Sequence, residues 1–379
     1  MALSKIDVAN MLTGLVPNDN TIRRLNAKPL IINGNMDVAQ RATSVTGVGD
    51  GDTGYNSLDR WRFSEGGDNS TVFTMSQDTD VPTGQGFANS LKMDVTTADA
   101  SPGSSDAMFL QQRFEGQDLQ LLKKGTSSAE KITVSFWVKS SKTGTHILEV
   151  QDSDNTRNCS QSYTVSSADT WEKKVVVFPA DTTGALDDDN ANSFEVNWWL
   201  LAGTDFTSGT LATSFASRTN ANRAVGQVNI GDNTSNNFYM TGCQMEIGEF
   251  SSTTLPPFQF EDFGDNLARC QRYFLNYIEG TGKIVGIAAS YNSSEVVLMH
   301  NFPTTMRSAP TLEISTGSSY YQHGEAGSVQ AITGSDISID RATLNGAQLL
   351  LTSMSANSGD GGFLYTGSSS SKISYTAEL

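Results

Sequence analysis

The feature that most narrows what this chain can fold into is a strict two-residue alternation. Over residues 132–139, Val134, Phe136 and Val138 fall on one side of an extended chain, while Thr133, Ser135 and Trp137 fall on the other. A strand turns successive side chains to opposite faces, so the pattern marks a strand with one face in a core. Similar runs are expected at 59–63, 72–75, 90–95, 108–114, 146–150, 160–165, 173–178, 195–201 and 238–246, separated by Gly, Asn and Asp turns. About ten such strands predict a double-sheet jelly roll. One short helical stretch is expected at 119–124, closed by Gly125.

The run TTLPPF at 253–258 sets two prolines side by side, which a central strand cannot carry, and a domain boundary is expected near it. Residues 265–276 have helical character, with Leu267, Cys270, Gln271 and Phe274 on one stripe. Strands follow at 283–291, 295–301, 311–315, 335–340, 347–353 and 372–379. They suffice for a second, smaller β-domain of about 100 residues. The opening stretch differs: Ser4 can cap a short helix with Ile6, Ala9 and Leu12 at helical spacing, Gly14 closes it and Pro17 stops it, with a further turn at 20–25. Two helical turns are marginal alone, so this arm is either an anchor on another protein or on copies of the same chain, or a frayed terminus. The organisation expected is an arm at 1–29, a jelly-roll β-sandwich at 30–258, and a linking helix plus a C-terminal β-domain at 259–379. The chain is mainly β.

Composition excludes several functions. Against 25 Lys and Arg stand 41 Asp and Glu, a net charge of −16, which disfavours nucleic acid and anionic lipid because phosphate affinity needs clustered cations. The bland reading of the acidity is solubility. Cys159, Cys243 and Cys270 are odd in number and widely spaced, forming neither a disulfide framework nor a zinc site. Residues 1–14, MALSKIDVANMLTG, lack the apolar core of a signal peptide, and no run of 18 apolar residues occurs. Synthesis in a cytoplasm, without secretion or membrane insertion, is expected.

Catalytic constellations are missing from the linear sequence. His146, His300 and His323 lie in different segments, there is no GxSxG or HExxH, and no cofactor is expected. A glycosidase that uses paired carboxylates leaves no linear signature and stays the enzymatic rival, though no repeat of about 20–30 residues is present. Sugar contact requires aromatic platforms beside planar polar groups. The candidates are Trp171, Trp199, Tyr320 and Tyr321, with Tyr163 and Trp198 more distant possibilities. Trp198 and Trp199 are consecutive on one strand and must face opposite ways, so one is core and the other is exposed, loop-covered or in an interface. Tyr320-Tyr321-Gln322-His323 is expected in a loop, as a ligand surface or a subunit interface. Asp152, Asp154 and Asn155 resemble the start of a calcium loop, but the later Gly and Glu are missing and a solvated turn explains them too.

Five motifs occur in order: LIINGNMDVAQR at 30–41 followed by DRW at 59–61, YMTGCQMEIG at 239–248, CQRYF at 270–274, MRSAPT at 306–311 and YTAEL at 375–379. Together they resemble a family of bacteriophage tail-fibre and virion structural proteins, and the opening MALSKIDVANMLTG is similar to the start of some phage fibre proteins. The resemblance implies a sandwich like those of carbohydrate-binding modules, a C-terminal β-domain, a homotrimeric appendage on the virion, contact with host surface polysaccharide, and docking on other tail or capsid proteins through residues 1–29. Synthesis in the host cytoplasm goes with it, and the missing constellations, not the resemblance, argue against catalysis. A capsid or tail component without receptor role, and a glycan-degrading fibre enzyme, are the alternatives. Cys243 stands where the family has Val or Ile, and is expected as a small buried hydrophobe. Within these motifs Gly34 is expected at positive φ, Trp61 in the core, Arg41 and Arg60 on carboxylates, and Arg272 on a carboxylate across the junction.

Overall fold

The computed structural model describes residues 28–379 apart from Ala326, so Ile6, Ala9 and Leu12 lie outside the described residues. Two six-stranded antiparallel sheets form a sandwich. The first runs in the order β1 (Ser44–Gly49), β3 (Val72–Asp78), β4 (Ser90–Thr97), β12 (Asn237–Ile247), β6 (Ile132–Ser140) and β9 (Glu172–Phe178). The second runs β11 (Ala216–Ser217), β8 (Arg157–Val165), β7 (Gly144–Asp152), β10 (Asn192–Ala202), β5 (Ala107–Glu115) and β2 (Arg62–Gly66). Alternation decides which side chains meet between them: Val134, Phe136 and Val138 of β6 and Phe194, Val196 and Trp198 of β10 are all buried there. Trp198 lies edge-on to Trp61 at 5.3 Å and to Phe136 at 5.8 Å between ring centroids. Removing a side chain such as Trp61, which has no exposed surface, costs about 3–5 kcal/mol.

Beyond the sandwich, α2 (Phe263–Gln271; α1 is the single turn Thr204–Thr207) is capped by the Asp262 carboxylate, which accepts from the Gly264 and Asp265 amides at 2.9 and 3.4 Å. A three-stranded sheet follows, β13 (Phe274–Glu279), β22 (Lys372–Thr376), β16 (Thr311–Ile314). It packs on a seven-stranded one, ordered β18 (Ser328–Ile332), β17 (Tyr321–Glu325), β21 (Gly361–Thr366), β14 (Ile284–Ser290), β15 (Val296–Asn301), β20 (Gly346–Leu351), β19 (Ile337–Thr343). Leu298, Leu349, Leu364, Ile373 and Tyr375 fill the space between them.

Several expectations are corrected. The helix over 265–276 stops at Gln271, because Phe274 and Asn276 pair with Thr376 and Ser374 in β13 and β22. The stretch 119–124 is a pair of 3-10 turns at Gly116–Asp118 and Gln120–Leu122, closed by Lys123 at φ 50° and Gly125 at φ 80°. Tyr321 to His323 are strand, not loop. At Asn33-Gly34 it is Asn33 that takes the positive φ, 56°, held by its side-chain amide donating to Val38 O and Asp59 O at 2.8 and 2.9 Å. Gly34 is required for another reason: a Cβ there would stand 2.1 Å from the Cys243 carbonyl oxygen.

The sandwich and the later sheets meet through buried ion pairs. Glu378 accepts from Arg60 at 2.5 Å and Arg41 at 3.2 Å, and those guanidinium groups lie 3.5 Å over Tyr273 and 3.6 Å over Phe274. Arg272 donates two hydrogen bonds to Glu115, at 2.8 and 2.6 Å, and the Tyr273 hydroxyl donates a third at 2.5 Å. Burial opposes ionisation of Glu115, but these donors hold its carboxyl below the usual range. The CQRYF segment therefore clamps the two units together with its Arg, Tyr and Phe.

Candidate functional site

On the outer face of the first sheet, register lines up three side chains across adjacent strands. Tyr239 of β12 is opposite Lys92 of β4 and Lys139 of β6. Their neighbours Phe238, Met240 and Val138 point into the core, so this row points out. Trp171, at the entry to β9, closes the row. Its ring is 6.2 Å from Tyr239, and the Lys139 ammonium sits 4.1 Å from the Tyr239 centroid and 5.7 Å from that of Trp171. Asp80, on the loop after β3, binds both partners: the Trp171 indole N–H donates to Asp80 Oδ1 at 2.9 Å and the Lys139 ammonium donates to Oδ2. Burial works against the Asp80 carboxylate, yet these two donors hold it below its ordinary range. Trp137 lies two residues along β6 from Lys139, half-buried on the same face, opposite Thr241 and Lys173.

Tyr239 and Lys139 are each only 8% exposed, so what the row offers a saccharide is the half-buried Trp171 ring for sugar C–H groups and the Asp80 carboxylate, its side chain 44% exposed, for hydroxyls. Of the four aromatic candidates, Trp171 alone belongs to such a group. Trp199 is wholly buried, corrected from a contact residue to a structural one: its indole donates to Glu149 at 3.1 Å and Phe206 and Ala224 of the 204–226 segment cover it. Tyr321 is likewise wholly buried, its hydroxyl donating to Lys372 O at 2.7 Å. Tyr320 is half-buried and packs over Gly317, where a Cβ would stand 2.0 Å from its ring.

The calcium-like triplet is also corrected. Asp152 is buried and its carboxylate accepts from the Lys124 ammonium and from Asn155 Nδ2 at 3.0 Å, so a lysine occupies the place of a cation. Asp154 accepts instead from the Asp187 amide at 2.9 Å. Among the described residues no group of three or more His, Cys, Asp or Glu could hold a metal ion. All three cysteines are buried, and burial pushes the Cys159 thiol up to about 12.

The outer face of the second sheet holds a polar network that sequence reasoning missed. Glu149 of β7 accepts from Arg223 at 2.8 and 2.9 Å, from Asn158 at 3.0 Å and from Trp199. Gln111 of β5 donates to Glu195 and Asn197 of β10, both at 2.8 Å, and Arg113 donates to Gln111 at 2.7 Å. Polar residues at alternate positions 111–115 of β5, 149–151 of β7 and 193–197 of β10 were the available signal, but alternation does not separate a satisfied network from a solvated face.

No family model matches the chain, and no curated protein matches it. Among solved structures, the enzymatically active domain of tailspike protein 4 from bacteriophage CBA120 is 16% identical over 50% of this chain, with a TM-score of 0.27, and the match spans 19% of that structure's length. A family 11 carbohydrate-binding module from Clostridium thermocellum, solved with a β-1,3-1,4-mixed-linked tetrasaccharide, is 10% identical over 56% of this chain and 96% of its own, at 0.28. The module TmCBM61, solved with β-1,4-galactotriose, is 10% identical over 58% and 99%, at 0.29. No helix among the described residues is long and apolar enough to cross a membrane.

Proposed function

We propose that the chain is a non-enzymatic virion protein of tail-fibre type that contacts surface polysaccharide of the host through the Trp171 face. The observation that carries the glycan contact is the half-buried Trp171 ring held beside the exposed Asp80 carboxylate, with Tyr239 and Lys139 buried beneath them. The ordered phage-fibre motifs support the virion role. Division of labour follows the chain: residues 1–29 dock on another virion protein, the sandwich displays the glycan face, and the later β-sheets associate with copies of the chain as a homotrimer. The non-enzymatic reading rests on the sequence, which carries no GxSxG or HExxH and sets its three histidines in separate segments.

The test is calorimetric titration of the full chain with a panel of purified capsular and O-antigen polysaccharides. Binding to at least one is expected, with a loss of at least tenfold in affinity for Trp171→Ala at unchanged far-UV circular dichroism, and with no release of reducing ends. Equal binding by the variant, or no binding to any member at millimolar saccharide, would remove the glycan reading and leave the purely structural role. Release of reducing ends would favour the enzyme.

A further inference from the structure

The seven-stranded sheet has one face on the core and one face that no described residue covers. Register aligns its outward positions across the strands: Val329 is opposite Gly324, Gly324 opposite Phe363, Phe363 opposite Ile287, and Met299, on the neighbouring strand, opposite Gln348. In this row Ile287 is 78% exposed, Met299 64%, Val329 61% and Phe363 56%. Ile284, at the start of β14 and opposite Tyr365, adds a side chain that is 72% exposed. A groove of about 480 Å³ runs between Ile287, Val297 and Met299. Single exposed hydrophobics need no explanation; a contiguous row across a sheet does.

Charge identifies the occupant. In a chain that is 17% charged, no outward position of β14, β15, β17, β18, β20 or β21 is Asp, Glu, Lys or Arg. The charges begin at the rim strand β19, where Arg341 pairs with its own neighbour Asp340 at 3.5 Å. Two copies carrying −16 each repel over most of their surface. An uncharged face is where they can meet without bringing like charges together or stranding an unpaired one. Seven strands of five or so residues present a plane of roughly 30 by 17 Å, about 500 Å², so two such faces together come to about the 1,000 Å² total at which a specific interface begins.

We propose that this face is the self-association surface of the chain, with Ile287, Met299 and Phe363 at its centre and a second copy as its occupant. The proposal adds a surface to the self-association named above, and it is read without any glycan, so the two readings fail separately. Light scattering coupled to size exclusion, on the full chain at about 50 µM, is expected to give a small closed multiple of 40.7 kDa. Ile287→Lys combined with Phe363→Lys is expected to return it to one chain mass with an unchanged circular dichroism spectrum. Should the double variant fail to fold, Ile287→Cys supplies the second readout. The three native thiols are buried, so oxidation is expected to give a chain–chain disulfide in high yield. A monomeric wild type, an oligomeric lysine variant, or an Ile287→Cys chain that stays uncrosslinked overturns the proposal.

Discussion

The outer face of the second sandwich sheet and the outer face of the seven-stranded sheet are built on the same pleat and are completed in opposite ways. On the first, outward residues are Glu149, Gln111, Asn197 and Glu195, and each finds donors or acceptors within the chain. On the second, outward residues are Ile287, Met299 and Phe363, and nothing among the described residues covers them. A polar face can be closed by its own hydrogen bonds. An apolar face can be closed only by another surface.

The largest effect is expected on the closed face. Glu149→Ala leaves the Arg223 guanidinium, with a side chain 10% exposed, buried without its carboxylate, and the cost expected is about 3–5 kcal/mol in urea unfolding. A cost below about 1 kcal/mol would mean that the network is decoration on a fold held by Trp198 and its neighbours alone.

Acid separates the two regions next. Burial pushes His146 in the sandwich and His300 in the seven-stranded sheet down to about 4, and lowers His323 of that same sheet as well. A depressed folded value means that the unfolded chain takes up the proton first. Stability is therefore full above the unfolded value near 6.5 and is lost as pH falls toward 4, on the order of 3 kcal/mol for each of His146 and His300. Asp59 of the sandwich works in the opposite sense: burial raises it from 3.8 to about 6, so the folded form takes up its proton first and gains stability as pH falls between those values. The later sheets, with two buried histidines and no such offset, are expected to lose amide protection before the sandwich as pH drops from 6.5 to 4. Hydrogen exchange at stepped pH reads the order directly, and loss in the sandwich first would contradict it.

The smallest effect on folding is expected on the open face. Ile287 is 78% exposed among the described residues, so Ile287→Lys should move the unfolding free energy of the separated chain by no more than about 0.5 kcal/mol, while the association state changes. A large loss of chain stability would show that this face packs on something within the chain.

The contrast also shows what the sequence could carry. Alternation in β6 and β10 marked the sandwich strands and required one of Trp198 and Trp199 to be core; Trp61, expected in the core from its motif, and both of these are fully buried. It missed β1, whose Gly47 and Gly49 blur the period, and the β17–β18 hairpin, where Gln322, His323 and Gly324 offer no apolar stripe. It extended the helix through Phe274 because local stripe geometry does not register the pull of a strand about 100 residues away, Thr376. Trp171 could be nominated from its type. Its partners could not, since bringing Lys92, Lys139 and Tyr239 level is a matter of strand register, which no linear spacing encodes. Trp199 failed as a surface residue for a related reason, since alternation says which face a side chain takes and not what lies over that face; Tyr321 failed because its segment, expected as a loop, is a strand whose inward face carries it into the core.

The most direct test of the account sets one polysaccharide against three proteins. A bacterial surface polysaccharide that binds the wild-type chain is titrated into wild type, Trp171→Ala and Ile287→Lys under the same conditions. Trp171→Ala is expected to lose at least tenfold in affinity per site, whereas Ile287→Lys keeps its per-site affinity and loses only the gain from multivalent attachment to immobilised polymer. Undiminished binding by Trp171→Ala would contradict the account.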